Sequence, residues 1–425
     1  MTDILIRKGR IIDPTQGFDF IGDILVRNGV IEEIAEKIEA PEVVQICDAQ
    51  GTIVMPGLID MHVHLREPGE EYKETIATGT DAACAGGFTA VACMPNTKPV
   101  NDNVSVTRFI LDKASEAGKA AVLPVAAATV GQQGQLLTEF GDLLQAGAVA
   151  FSDDGLPISD ASVMRLVLEY SRNFDALIIS HSEEPSLSKG GSMNEGVVST
   201  RLGLKGIPSV GEEIAIFRDI RLAALTGARL HIAHVSTKGG VEIIRRAKAE
   251  GIKVTAETAP HYFSLTEEAV EGFNTNAKMN PPLRTEDDRM AIIEGLQDGT
   301  LDAIATDHAP HSSLEKDCEF EKAANGIIGL ELAVPLTLQL VREGYLELGD
   351  VVRLMSSQPA KILGIDAGSL KTGKPANITI IDPEKEMVVS RETLRSKSQN
   401  TPFLGKTLRG VPKTTIVNGL LVFQR

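Results

Sequence analysis

The chain has 425 residues, 43% hydrophobic and 24% charged, enough for one large globular domain with a smaller one beside it. A formal net charge of −16 argues against nucleic acid as a partner and offers no basic patch to a membrane surface. The first residues lack the regions of a signal peptide, no apolar run reaches the roughly 20 residues of a membrane span, and Cys47, Cys84, Cys93 and Cys318 show no CxxC spacing. These features predict a cytoplasmic protein with free thiols.

Residues 2–54 read as short strands, with a hairpin signal at Asn28-Gly29 between alternating runs. From about 52 to 310 the rhythm changes. Apolar runs at 53–64, 89–96, 121–129, 148–154, 176–181, 229–236, 253–258 and 302–307 alternate with helical segments. The clearest of those helices lie at 104–117, 162–172, 212–225, 238–250 and 286–296. Near-continuous apolar strands joined by helices imply a parallel sheet covered on its outer face, and eight such units fit an α/β fold of the TIM-type (β/α)8 barrel. An open doubly wound sheet would be the alternative, but no Gly-x-Gly-x-x-Gly opens a helix. Residues 183–210 and 309–327 lie downstream of strand ends and are expected as long loops on the catalytic face. Helical character fills 331–364. Strand signals then return at 377–382, 414–417 and 420–423, around a second Asn-Gly turn at Asn418-Gly419. The expected organisation is a small composite β domain from residues 1–54 and 366–425, with the barrel over 55–365.

The first barrel run ends in His62-Val63-His64. Residues i and i+2 of a strand share a face, so the two imidazoles aim at one point, as ligands of one metal would. Other runs also end in potential ligands: Asp153-Asp154, His181, His234 and Asp307. In a barrel these strand ends converge. His62 and His64 can hold one ion, His181 and His234 a second, and a carboxylate from Asp153 or Asp154 can bridge them. Nitrogen and oxygen donors without thiolate suit Zn²⁺, with Mn²⁺, Co²⁺ and Fe²⁺ as alternatives. Such a pair is a hydrolytic centre that activates water near neutral pH and favours an anionic substrate. Asp307 is placed to take a proton from the attacking water and return it to a leaving nitrogen. The Arg66 fork suits a substrate carboxylate. His231, three residues from His234, and His308, next to Asp307, are expected to face away; His261 stays open between support and structure.

Together these residues resemble the amidohydrolase superfamily, and most closely its bacterial type I dihydroorotases. The matching segments are Pro56 to Gly69, Cys93-Met94-Pro95-Asn96-Thr97, Ser152-Asp153-Asp154-Gly155, Asn280-Pro281-Pro282-Leu283-Arg284 and Thr306-Asp307-His308-Ala309-Pro310-His311. The resemblance implies that His62 and His64 bind the first of one or two zinc ions, His181 and His234 the second, and Asp154 the bridge. It makes Asp307 both a ligand and the catalytic acid/base. His64, Arg66, Asn96, Asn280 and His311 match substrate-binding positions, and Asn325-Gly326 falls where the family contacts substrate through a loop. Hydantoinases and allantoinases, the rival cyclic amidohydrolases, and other dihydroorotases bridge their metals with a carboxylated lysine; the fourth run here has none, which favours the type I group. The implied activity is reversible hydrolysis of (S)-dihydroorotate to N-carbamoyl-L-aspartate, the third step of pyrimidine synthesis. The resemblance also admits a homo-oligomer, a complex with aspartate carbamoyltransferase, or a non-catalytic companion of that enzyme; complete ligands and an intact Asp307 speak against the last.

Overall fold

Alternating residues near the N-terminus form an antiparallel meander in the computed structural model, which describes residues 3–42 and 44–425. Its strands are β1 (Ile4–Asp13), β2 (Phe18–Arg27) and β3 (Val30–Ala35). Asn28 and Gly29 both take positive φ, 50° and 82°, the backbone that a two-residue hairpin between twisted strands requires. β1 is one ten-residue strand, and its pairing with β2 shifts register between Ile6 and Gly9. Two strands, β4 (Gln45–Asp48) and β5 (Ile53–Pro56), lie parallel to β1.

The run at 53–64 divides at Gly57. Its first part is β5; its second is β6 (Leu58–Val63), the first barrel strand. A Cβ at Gly57 would stand 2.2 Å from Thr89 Oγ1, so glycine lets the chain pass from one sheet to the other here. The barrel continues with β7 (Phe88–Cys93), β8 (Ala121–Ala126), β9 (Ala150–Phe151) and β10 (Leu177–Ser180). After an excursion holding the pair β11 (Met193–Asn194) and β12 (Gly206–Ile207), it resumes with β13 (Arg229–Ile232), β14 (Val254–Thr258) and β15 (Ala303–Ile304). Neighbours in this eight-stranded sheet run parallel. A parallel bridge between Val63 and His308, with His64 N–H donating to His308 O at 2.8 Å, joins the last strand end to the first.

Several of the helices start where side chains cap free N–H groups. Asn103 accepts from Ser105 and Val106 N–H ahead of Val104–Ala117, and Asp160 accepts from Ser162 and Val163 N–H ahead of Ala161–Ser171. Thr285 and Asp288 form a reciprocal box at Glu286–Gln297. Two apolar layers result. Val91, Ile178 and Ile232 pack outward against Ile110, Val167, Ile220 and Ile244 of the helices. Ile59, Met61, Ala90, Leu177, Ile179 and Ala303 fill the barrel with Ile362 and Leu363 of helix Gln358–Leu363. The interior is therefore packed hydrocarbon, and polar side chains gather at the carboxyl ends of the strands.

The chain then returns to the first sheet through β16 (Ile378–Val388), β17 (Thr407–Val417) and β18 (Leu420–Gln424). β16 pairs with β5, so the two chain ends share one sheet reaching Pro56, over a core of Ile11, Val54, Ile378, Ile380 and Ile416. Residues 183–210 and 309–327 are mostly irregular, with helices Pro185–Ser188, Val197–Leu202 and Ser313–Lys316 as their longest elements. Among the described residues, no helix is long and apolar enough to cross a membrane.

Candidate active site

Six strand-end side chains converge on one buried point. Asp154, just past β9, lies at its centre. Its Oδ1 is 3.3 Å from His62 Nε2, 3.6 Å from His181 Nδ1 and 3.6 Å from His234 Nε2, while its Oδ2 is 3.6 Å from His64 Nε2. Asp307 Oδ1 lies 3.0 Å from His64 Nε2 and 3.6 Å from His62 Nε2. Two donor sets emerge, His62–His64–Asp154 and Asp154–His181–His234, each with all its donor atoms within 4.8 Å of one another. Burial pushes the Asp154 carboxyl up, but His62, His181 and His234 outweigh it and hold the group well below the usual carboxylate range. Burial likewise raises Asp307, and His64, His62 and His234 bring it below that range.

This donor set fits metal ions. His62 Nε2, Asp154 Oδ1 and His234 Nδ1 are buried with no hydrogen-bond partner among the described residues, a costly state for polar atoms inside a protein. A cation among them would satisfy the first two directly. Four imidazoles and two carboxylates, with Asp154 common to both sets, are the chemistry of a divalent pair. Asp153 points elsewhere, accepting from Ala128 N–H at 2.9 Å and Thr129 N–H at 3.0 Å. Burial pushes it up to about 6 against those bonds.

A cavity of about 220 Å³ opens over the cluster. His64, Arg66, Asn96, Asn280, His311, Asn325 and Gly326 all line it, beside Asp154, His181, His234 and Asp307. Arg66 donates Nε–H to Pro310 O at 3.1 Å and sets Nη2 3.3 Å from His311 Nε2; no carboxylate pairs with it among the described residues. His311 Nε2 lies 2.8 Å from Asn325 O, to which it donates.

Residues 51–240 match the family described as Dihydro-orotase-like. The chain is 57% identical over 423 residues to the dihydroorotase of Geobacter metallireducens, with 100% of both chains covered. It is 58% identical over 423 residues to the dihydroorotase of Geobacter sulfurreducens, again with 100% of both covered. The chain belongs to the dihydroorotase family. Among solved structures, L-hydantoinase (dihydropyrimidinase) from Arthrobacter aurescens superposes with a TM-score of 0.89 at 26% identity, covering 100% of this chain and 96% of that one. D-hydantoinase from Thermus sp. shares the fold, with a TM-score of 0.84 at 24% identity and coverage of 99% and 95%.

In this member of the dihydroorotase family the histidines of the cluster are themselves held, in part by two residues absent from the sequence reading, Glu257 and Glu183. Glu257 on β14 takes His62 Nδ1–H at 3.0 Å, which leaves His62 Nε2 free for a metal. His231 Nε2 stands 3.2 Å from Glu257 Oε2, and its Nδ1 is 2.8 Å from Thr255 Oγ1. The expectation that His231 faces away is therefore corrected. β13 ends at Ile232 and His234 takes φ 36°, so strict alternation does not carry from 231 to 234. Glu183 lies 3.0 Å from His181 Nε2 and accepts from Asn280 Nδ2 at 2.6 Å, leaving His181 Nδ1 toward Asp154. Asn96 Oδ1 accepts from His64 Nδ1–H at 2.8 Å, so this amide orients the imidazole, while its Nδ2 has no hydrogen-bond partner among the described residues.

His308 points out of the cluster and accepts from Gly329 N–H at 3.2 Å. His261 is buried against the Tyr262 ring, with its imidazole pushed down to about 4 by burial. Glu257→Gln removes the charge behind His62 and is expected to weaken metal affinity about 10- to 100-fold, measured by competition with a chromogenic chelator. Unchanged affinity would leave Glu257 with a packing role.

Proposed function

We propose that this cavity catalyses the reversible hydrolysis of (S)-dihydroorotate to N-carbamoyl-L-aspartate, the cyclic-amide step of pyrimidine biosynthesis. The observation that carries the proposal is the Arg66 guanidinium, without a carboxylate partner among the described residues and set in the same cavity as the Asp154-centred histidine cluster. Its fork takes the substrate carboxylate, with the free Asn96 amide beside it. His311, whose Nε2 stands 3.3 Å from Arg66 Nη2, and the Asn325–Gly326 backbone line the cavity beside that fork and orient the ring.

His62, His64, His181, His234, Asp154 and Asp307 would hold zinc, two ions per chain, one for each donor set. Bound there, the metal would lower the pKa of water and polarise the amide carbonyl. Asp307 Oδ takes the proton of the attacking water and delivers it to the ring nitrogen as the amide C–N bond breaks. In the synthetic direction the same carboxyl passes the proton back as the ring closes. Asp154, common to both donor sets, would be the carboxylate shared by the two ions, whereas the hydantoinase alternative calls for a carboxylated lysine. We place the enzyme in the cytoplasm, with the barrel over 55–365 and the composite β domain over 1–54 and 366–425. This reading admits a homo-oligomer and a complex with aspartate carbamoyltransferase.

Ring opening turns a monoanion into a dianion and releases a proton. Started from either compound, the protein should reach one common ratio at each pH. That ratio should favour the ring in acid and the open chain in alkali, as followed by ultraviolet absorbance. A ratio that depends on the starting side, or that ignores pH, would remove this substrate pair.

A further inference from the structure

Two buried lysines beside the cavity have no part in the chemistry above. Lys278 and Lys316 are each 5% exposed, and neither forms an ion pair with a carboxylate among the described residues. Their protons go to main-chain carbonyls instead. Lys278 Nζ donates to Glu321 O and Ala323 O, both at 2.8 Å. Lys316 Nζ donates to Thr275 O at 3.0 Å, Lys278 O at 3.1 Å and Ala324 O at 2.7 Å.

The carbonyls are not scattered. Glu321, Ala323 and Ala324 lead directly into Asn325–Gly326, and Thr275 and Lys278 lead into Asn280. The two segments are also stitched together, because Gly326 N–H donates to Lys278 O at 2.9 Å. Gly326 takes φ +140°, and a Cβ there would stand 2.8 Å from Ala309 Cβ, so the turn has little room to rearrange.

Burying an ammonium without a counterion is costly, and an apolar side chain of similar length would pack the same space more cheaply. What the apolar chain could not do is fix several carbonyls at once. We propose that Lys278 and Lys316 are positioning residues, a paired clamp that holds the Asn325–Gly326 turn where the cavity needs it for the substrate ring. This rests on the cavity being the substrate site. Burial and the neighbouring Lys278 push Lys316 down to about 7, against the opposing pull of Cys318 and Glu315; burial lowers Lys278 as well. A neutral amine has two N–H groups for the three carbonyls that Lys316 holds, so the clamp loosens as pH rises past that value.

The test uses the full-length, metal-loaded chain with Lys316→Gln and Lys278→Gln. KM for dihydroorotate should rise about tenfold while kcat stays within about threefold, because substrate positioning is lost and the proton-transfer machinery is not. Metal content should match the parent, and amide hydrogen exchange over residues 321–327 should accelerate about tenfold while β13 is unchanged. The parent chain gives a second test that needs no variant to fold. Exchange over 321–327, corrected for its intrinsic pH dependence, should speed up between about pH 6 and pH 9 relative to β13. Unchanged exchange in both experiments, or a loss of kcat at unchanged KM, overturns the clamp. A parent chain inactive on dihydroorotate would refute the substrate assignment, and the exchange data would still decide whether the lysines hold the turn.

Discussion

Replacing Asp307 with Asn should lower kcat about 10²- to 10⁴-fold while metal content and thermal stability stay near those of the parent. The amide keeps an oxygen near His64 Nε2, where Asp307 Oδ1 now lies at 3.0 Å, so the donor cluster stays largely filled. It cannot accept the proton of the attacking water. The fall should be equal in both directions of the reaction, since one carboxyl serves both. Measuring kcat and bound metal on one preparation separates the two roles: lost metal would make Asp307 chiefly a ligand, and activity within about threefold of the parent would remove it from proton transfer.

Arg66→Met should act on substrate binding instead. Methionine fills a comparable length without charge, and within the protein it forgoes chiefly the hydrogen bond from Arg66 Nε–H to Pro310 O at 3.1 Å. KM for dihydroorotate should rise about 10²-fold, the scale of a charge-assisted pair removed from a buried site, with kcat changed only a few-fold. A neutral cyclic substrate such as hydantoin gives the fork nothing to hold, so its slow turnover, where present, should be almost unaffected. Equal loss on both substrates would mean that Arg66 supports the loop at Pro310 and His311 rather than the carboxylate.

Much of this site is legible in the sequence, because it obeys two simple periodicities. The βα rhythm places strand ends on one face, and the i, i+2 rule pairs His62 with His64. Both concern what a backbone does locally, so one sequence suffices. Where the backbone departs from regular geometry, the reading fails. Alternation predicts that His231 faces away from His234, yet the strand stops between them. The run at 53–64 reads as continuous, since no hydropathy pattern marks a crossing between sheets; Gly57 is the only local sign.

The residues behind the ligands are harder to read. Glu257 does leave a signal, a lone carboxylate inside an apolar run at 253–258, where an unpaired charge is costly. Glu183 leaves none: beside Glu184 at the start of an irregular segment it resembles any solvated loop acid. Asn96 and Asn280 carry a second lesson. Their chemistry suits substrate, and they do line the cavity, but each also uses one amide atom on a metal-site neighbour, a division of labour visible only in three dimensions.

The most direct test is ring opening of (S)-dihydroorotate, followed by its ultraviolet absorbance, on protein whose zinc is counted in the same sample. The account predicts turnover that scales with zinc up to two ions per chain, one for each donor set, and that is abolished by a chelator and restored by zinc. A fully metal-loaded protein that opens hydantoin but leaves dihydroorotate intact would contradict it.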